Sequence, residues 1–567
     1  MERSFNLIDE AWISVITKDC KIQDISLREA LLNAHNFVGL SGETKAQDFA
    51  VLRLLIALMF TIFYRYDLDG EEIDPADDEN IVMDNWEGMW RNGYIPAAPV
   101  EKYFSKWHDR FWLFDDEYPF YQTKMAQEKG THFTSAKMIG TLFKSDNKQR
   151  LFSDRNSKGR ILSFAEAARW LLHLNCFDDI AAKKPTPKHS WVGRLGLIAL
   201  KGKNLFQTIM LNFFAKCDVS DEIFEEQPSW EQDNNKIEFN RKIDVPDNQA
   251  ALLSLMSRRI WLCRENEEVK GYYLAGGDYF EDDDVKNEQM TLWIGKQDKK
   301  DSPYTFSPRL YDPAKTIWRE FGNIACMKEK DNAEKGLRCP GVINWLNELS
   351  NKILSDNYMA QIVTAAIIYK KISSSFIVKD MISDSLTFHA KLLEDVGEIW
   401  RERINLEIKK CDDAAKQIFI LYKNLQNSSG YRDNTSKNKK KNEEENETDK
   451  NNNEKKSQSG ETEAKMQFYT KIDRNFRLWL EGLKVEQDID SYTAPLEREL
   501  MEIALNLGRS FVAQVGGQTI FGRVKKSDKN DKTIEIKSSA ESFGLFEAKI
   551  RKIFDKAGEQ NEKSKQG

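Results

Sequence analysis

The sequence predicts an α+β protein: a large mixed α/β domain over residues 1–379, then an antiparallel four-helix bundle over residues 380–567. Three observations carry this. The first part alternates short period-2 runs with helical runs and is dense in aromatic residues. Beyond Lys379, Met381, Ile382, Leu386, His389, Leu392, Leu393, Val396, Ile399 and Trp400 recur at three- and four-residue steps, the spacing of one helix face. Residues 427–465 are almost free of apolar side chains and rich in Asn, Lys, Glu and Ser. That composition cannot bury enough surface to order itself, so a disordered insertion within the bundle is expected.

Composition bounds the function classes. The chain has 567 residues, enough for roughly two to four domains, and a formal charge of −7. A pI near 5.7 argues against wholesale wrapping of nucleic acid, so any such contact must be local. The seven cysteines include no C-x-x-C pair, and the six histidines show no metal-binding spacing. Reduced thiols, no zinc site and no cofactor are the expectation. An N-terminus reading M-E-R-S-F-N-L-I-D-E is acidic where a signal peptide is apolar, and Phe49–Tyr64 is too short to span a bilayer and carries Arg53. A cytoplasmic protein without membrane contact is expected, with 49–64 as a buried core helix.

In chain order, Phe5–Ile8 and Trp12–Ile16 read as two strands of a hairpin, and Ser26 with Glu29 forms a capping box. The core helix starts near Thr44. An acidic loop, Asp67 to Glu79, follows, then a helix near Pro99–Trp107 and the aromatic stretch Phe111–Thr123, read as buried loop and strand. Ser163–Asn175 has helical spacing, and Leu205–Phe214 lies in a strand-then-helix segment. Residues 227–338 read as short strands and loops. Pro340 opens a helix, Tyr358–Tyr369 reads as another, and Ala415–Leu425, Met466–Leu483, Leu496–Val515 and Phe543–Phe554 complete the helical zones.

Positive charge concentrates between Lys144 and Lys203. Thirteen Lys or Arg against five Asp or Glu give a local balance of +8. Two loops, 144–160 and 177–196, flank the helical segment. Lys183 and Lys184 precede Pro185 and Pro187, which stiffen the presentation of their amines. Such a patch, with Phe152 and Trp191 set in it, suits nucleic-acid contact, although a solvated loop pair has the same composition. Trp191 also reads as a core residue. No P-loop, G-x-G-x-x-G, G-x-S-x-G or metal cluster is present. One loose acidic group, Asp233 and Glu238 with Lys242, has the residue types of a nuclease site but reads as a surface loop.

Four short motifs then occur in order: S-F-N-L-I-D-E-A-W-I-S-V from Ser4, Y-P-F-Y-Q-T (Tyr118–Thr123), W-V-G-R-L-G with N-L-F-Q-T-I-M-L-N (Asn204–Asn212), and Q-P-S-W (Gln227–Trp230). Together they resemble the CasA family, the large subunit of the type I-E CRISPR Cascade complex. The resemblance implies a non-enzymatic subunit. It would recognise the protospacer-adjacent motif in double-stranded target DNA, aid duplex opening and R-loop formation, and recruit the helicase-nuclease effector in antiviral defence. The other Cascade subunits and the CRISPR guide RNA are the implied partners, with sequence read mainly by guide pairing.

Carried over position by position, Leu151, Phe152, Ser153, Asp154 and Arg155 fall on the loop implied to meet guide RNA and neighbouring subunits. Ala181, Ala182, Lys183, Lys184 and Lys188 fall on the loop implied to touch the motif's minor groove. The family often has glycine there, and this chain has none between Asp178 and Lys184. Lys286 lands near a groove-inserting lysine, with Glu288 and Lys296 as neighbouring registers. Ser373 and Ser374 fall on the duplex wedge, where helix-capping serines are the bland alternative. Two other readings remain open at this level: a stand-alone nucleic-acid-binding scaffold, and a metal-dependent nuclease centred on Glu238.

Overall fold

The structure is a computed structural model. It describes residues 3–140 apart from 77 and 79, together with 160–177, 190–215, 225–234, 237–299, 302–326, 336–372, 375–429, 450–526 and 533–555. The chain forms two compact units. One comprises Met1–Pro313 with Asn323–Leu386, the other Ala314–Gly322 with Thr387–Gly567. Helix and sheet are mixed in the first unit. Long helices dominate the second.

The first unit is built around helix Lys45–Phe63. Thr44 caps it, its hydroxyl accepting from Gln47 N–H, and nearly every side chain along it is buried. It is apolar and long enough to cross a bilayer, yet 94% of its most apolar window is packed inside the protein. It is a core helix, as its Arg53 foretold. Trp86 donates its indole N–H to the Met210 carbonyl at 2.9 Å, and Phe213 meets Phe60 edge to face at 5.0 Å. The Ser26–Glu29 capping box is present at helix Leu27–Leu32.

The expected hairpin between Phe5–Ile8 and Trp12–Ile16 is not formed. Ser4–Asn6 pairs antiparallel with Trp112–Phe114, while Ile13–Thr17 lies between Ile22–Ile25 and Phe37–Leu40. Local chemistry decides this. Asn6 folds the chain into a turn, its Oδ1 accepting from Ile8 N–H and its carbonyl from Asp9 and Glu10. The real hairpin turns at Cys20, whose φ of 59° places it in the left-handed region.

Two helices expected from periodicity are strands. Met359–Ile372 and Ser375–His389 are neighbours in a three-stranded sheet whose other edge is Leu197–Lys201, with Gln361 opposite Lys201 and Ala365 opposite Leu197. Burial alternates along Met359–Thr364, with Ala360, Ile362 and Thr364 inside. The β-branched residues Ile362, Val363, Thr364, Ile367 and Ile368 fit that surface. The three- and four-residue steps of 381–400 instead straddle a strand end, two short 3₁₀ turns and the start of the next helix.

In the second unit, helix Glu398–Ser429 packs against Lys450–Glu481, Ile489–Gln514 and Ser539–Asp555. The expected separate zones 381–400 and 415–425 therefore reduce to one helix that begins at Glu398. Part of the segment 427–465, expected to be disordered, is helical. Residues 427–429 close one helix and residues 450–465 open another, and 430–449 lie outside the described residues. Segment Ala314–Gly322 joins these helices. Trp318 stacks on Phe476 at 4.0 Å and donates to Asp473 at 2.8 Å, and Arg319 lies over the Tyr469 ring and pairs with Asp412.

Candidate nucleic-acid interface

Helix Phe164–Phe177 is the first support of the interface. Ser163 and Glu166 form a capping box, with Glu166 N–H donating to Ser163 Oγ and Ser163 N–H donating to Glu166 Oε2. Arg169, nearly buried, locks the helix onto the N-terminal sheet through the Trp12 carbonyl, Asp24 and Glu43. The helix ends at Phe177, one root of the predicted DNA-contacting loop. His173 is buried against the Trp170 and Phe177 rings, and a Cβ at Gly140 would overlap its imidazole.

The loop's two roots are tied to each other and to the strand that leads to Ser373. Tyr369 donates its hydroxyl to the Phe177 carbonyl, and Ser190 donates to the Cys176 carbonyl. Gly193 sits where a Cβ would lie 3.0 Å from Ser190 Oγ and 3.3 Å from the Tyr369 hydroxyl, so the absent side chain permits this close meeting. Burial pushes the Cys176 thiol up to about 11, which keeps it protonated.

Trp191 carries the connection further. It is buried, in keeping with its core reading, and its indole donates to Glu288 Oε2 at 2.9 Å. The same carboxylate accepts Arg53 Nη1 at 2.9 Å and Nη2 at 3.0 Å, and Met290 N–H at 3.2 Å. Burial opposes the charge on Arg53, and the attraction and hydrogen bonds of Glu288 more than offset it, so the guanidinium stays above its ordinary value. A two-pronged pair of this kind fixes orientation as well as distance.

Lys286 stands two residues before Glu288, exposed on a turn closed by Glu288 N–H donating to the Val285 carbonyl. Asn287 donates to the Pro246 and Asp247 carbonyls, and Gln289 to the Lys286 carbonyl. The neighbouring acidic turn has its charges engaged: Lys242 pairs with Glu281, Arg194 with Asp283, and Arg338 with Asp284. Among the described residues no carboxylate lies within ion-pair range of Lys286. Of the two alternative registers, Glu288 is buried in the core and Lys296 is exposed at the end of strand Trp293–Lys296.

The remaining predicted contacts, Phe152, Ser153, Asp154 and Arg155, Ala181, Ala182, Lys183, Lys184 and Lys188, and Ser373 and Ser374, lie outside the described residues. What the structure brings together is their supports. The roots at 177 and 190–191, the strand before 373 and the Lys286 turn meet around Tyr369, Trp191, Glu288 and Arg53.

Sequence reasoning did not identify Glu288 as the centre of this cluster. One signal pointed toward it, because an arginine inside an apolar run requires a buried acceptor. The 235-residue separation hides which one. The nuclease-like group does not assemble. Lys242 is paired with Glu281, Glu238 is exposed, and among the described residues no three His, Cys, Asp or Glu side chains come together to hold a metal ion.

Comparison with known proteins fits this arrangement into a family. The model of CRISPR-associated protein Cse1 matches residues 6–507. A CRISPR-associated protein CasA/Cse1 from Thermus thermophilus is 31% identical over 218 residues, a stretch covering 37% of this chain and 39% of that relative. The fold resembles the crystal structure of Thermobifida fusca Cse1 with TM-score 0.76 at 21% identity, covering 98% of each chain. It resembles Cse1 from Acidimicrobium ferrooxidans with TM-score 0.73 at 19% identity, covering 98% of this chain and 99% of that one. A chain of a CRISPR RNA-guided surveillance complex gives TM-score 0.67 at 13% identity, covering 97% of this chain and 99% of that one. With a family match spanning most of its length, the chain belongs to the CasA/Cse1 family of CRISPR-associated proteins.

Proposed function

We propose that this protein is the large subunit of a type I-E Cascade complex, acting in the cytoplasm without catalytic chemistry or cofactor of its own. It recognises the protospacer-adjacent motif in double-stranded target DNA, helps open the duplex for R-loop formation, and recruits the helicase-nuclease effector. Its partners are the other Cascade subunits, the guide RNA, target DNA and that effector. In the same reading, the four C-terminal helices form an antiparallel bundle.

The observation that supports this is the convergence of the roots of two of these segments, with the Lys286 turn, on one buried, ion-paired support. Reading a short motif while guide pairing reads the rest requires side chains held in fixed relation, and Arg53–Glu288 with Trp191 supplies such a base. The family match and the likeness to a surveillance-complex chain support the same assignment.

The test uses the assembled complex. Lys183→Ala with Lys184→Ala should weaken duplex binding and flatten its salt dependence, by about 0.9 in the log–log slope for each phosphate that is no longer neutralised. An unchanged slope would show that this loop does not meet the DNA backbone. Phe152→Ala should reduce co-purification with the guide-bearing complex, and normal co-purification would remove that residue from the assignment.

A further inference from the structure

Within the second unit, helices Glu398–Ser429 and Ser539–Asp555 leave an open cleft of about 400 Å³ between them. This lies at the lower end of the size range of ligand pockets. Its floor is Leu421 and Phe546, both buried. Gly508 on helix Ile489–Gln514 makes room for the Phe546 ring, since a Cβ there would come within 2.4 Å of it. The lips are apolar and in contact with solvent, with Ile420 41% and Leu545 43% exposed. Apolar side chains facing water on both sides of one groove offer an anchor point to another chain.

Two features give the cleft polarity. Ser542 lines it, is only 2% exposed, and among the described residues its hydroxyl has no hydrogen-bond partner. A buried hydroxyl left without a partner is costly, and Ser542 lies in the wall of this cleft. The lining also carries Lys537 and Lys549 and no acidic residue. Lys537 lies 3.7 Å from Glu541, whereas among the described residues no carboxylate pairs with the exposed Lys549. The remaining polar lining is amide: Gln417, Asn424 and Asn427.

We propose that this cleft docks a short acidic peptide segment of a protein partner. An apolar anchor side chain would enter between Ile420 and Leu545, and a carboxylate would pair with Lys549. Charge complementarity selects an acidic segment. The apolar floor and lips select a peptide over a nucleic-acid backbone, which offers phosphate and no aliphatic anchor.

The test is fluorescence anisotropy with the full chain and a fluorescein-labelled peptide carrying a Leu-Phe pair among glutamates. A peptide with lysines in place of the glutamates and a labelled oligothymidine serve as comparators. The acidic peptide should bind saturably, with affinity reduced about tenfold by Lys549→Glu and by Leu545→Asp. Both sites are exposed, so folding should survive, as checked by circular dichroism. Absence of saturable binding, equal binding of the lysine peptide, or insensitivity to Lys549→Glu and Leu545→Asp would overturn the proposal. So would preferential binding of oligothymidine with sensitivity to the same changes.

Discussion

Arg53 and Glu288 are buried to the same degree and answer each other, and the consequence of separating them can be stated. Glu288→Leu leaves a guanidinium in the core with no counter-charge, and should cost about 3–5 kcal/mol of stability, read as a lowered urea midpoint. Adding Arg53→Met should recover most of that stability, because two apolar side chains of similar volume avoid desolvating either charge. Recovery of stability without recovery of duplex affinity would mark Glu288 as a positioning residue for the Lys286 turn. If the single variant unfolded at the wild-type midpoint, the pair would not be holding this region together.

Glu226 supplies a pH signature at the same scale. Its carboxylate accepts from Ala250 N–H at 2.6 Å, and burial raises it from 4.5 to about 7. Between those values the folded protein binds more protons than the unfolded chain. Stability from this group is therefore full below about pH 4.5, falls as pH rises toward 7, and levels off above. The change amounts to no more than about 3.5 kcal/mol. Glu226→Gln keeps an acceptor and removes the titration, so its denaturation midpoint should vary less between pH 5 and pH 8. An identical pH profile in wild type and variant would exclude this group as the cause.

Among the elements, the segment Ala314–Gly322 shows how few residues anchor a piece of chain to distant helices. Trp318→Ala removes the stack on Phe476 and the bond to Asp473, and should cost about 3–5 kcal/mol. The effect should appear as faster hydrogen exchange in helix Lys450–Glu481, and unchanged exchange there would contradict the assigned anchor. Element types were legible where one signal dominated. The Ser26 box, the Thr44 cap and the apolar helix behind it were all readable from local chemistry. Strands Met359–Ile372 and Ser375–His389 were not. A mostly apolar run such as Ile362–Ile368 fits either period, and sheet partners distant in sequence settled it. The start of helix Lys450–Glu481 was missed for the opposite reason, since its first turns carry the polar composition of a coil.

For the whole molecule, charge is organised by place. A net −7 disfavours general attraction to DNA, and under the proposed function the +8 between Lys144 and Lys203 is what would confine it. Removing basic side chains elsewhere should then leave the salt dependence of duplex binding intact. Lys18→Ala with Lys21→Ala, both exposed in the first unit, should give the wild-type log–log slope in the assembled complex. A slope reduced as much as by the Lys183 and Lys184 changes would mean that the protein's field acts globally.

By itself, the sequence determined the mixed class of the fold, the core helix with its start near Thr44, the placing of positive charge along the chain and, through its ordered motifs, the family. Each of these depends on composition or on neighbours within a few residues. Tertiary structure alone decided that Arg53 answers Glu288, that Trp191 and Tyr369 tie the roots of the 178–189 segment together, and that Ala314–Gly322 joins the C-terminal helices. These contacts join residues 97 to 235 positions apart or regroup segments across the chain. No local pattern encodes such a pairing, because many acceptors are chemically suitable and only packing selects among them.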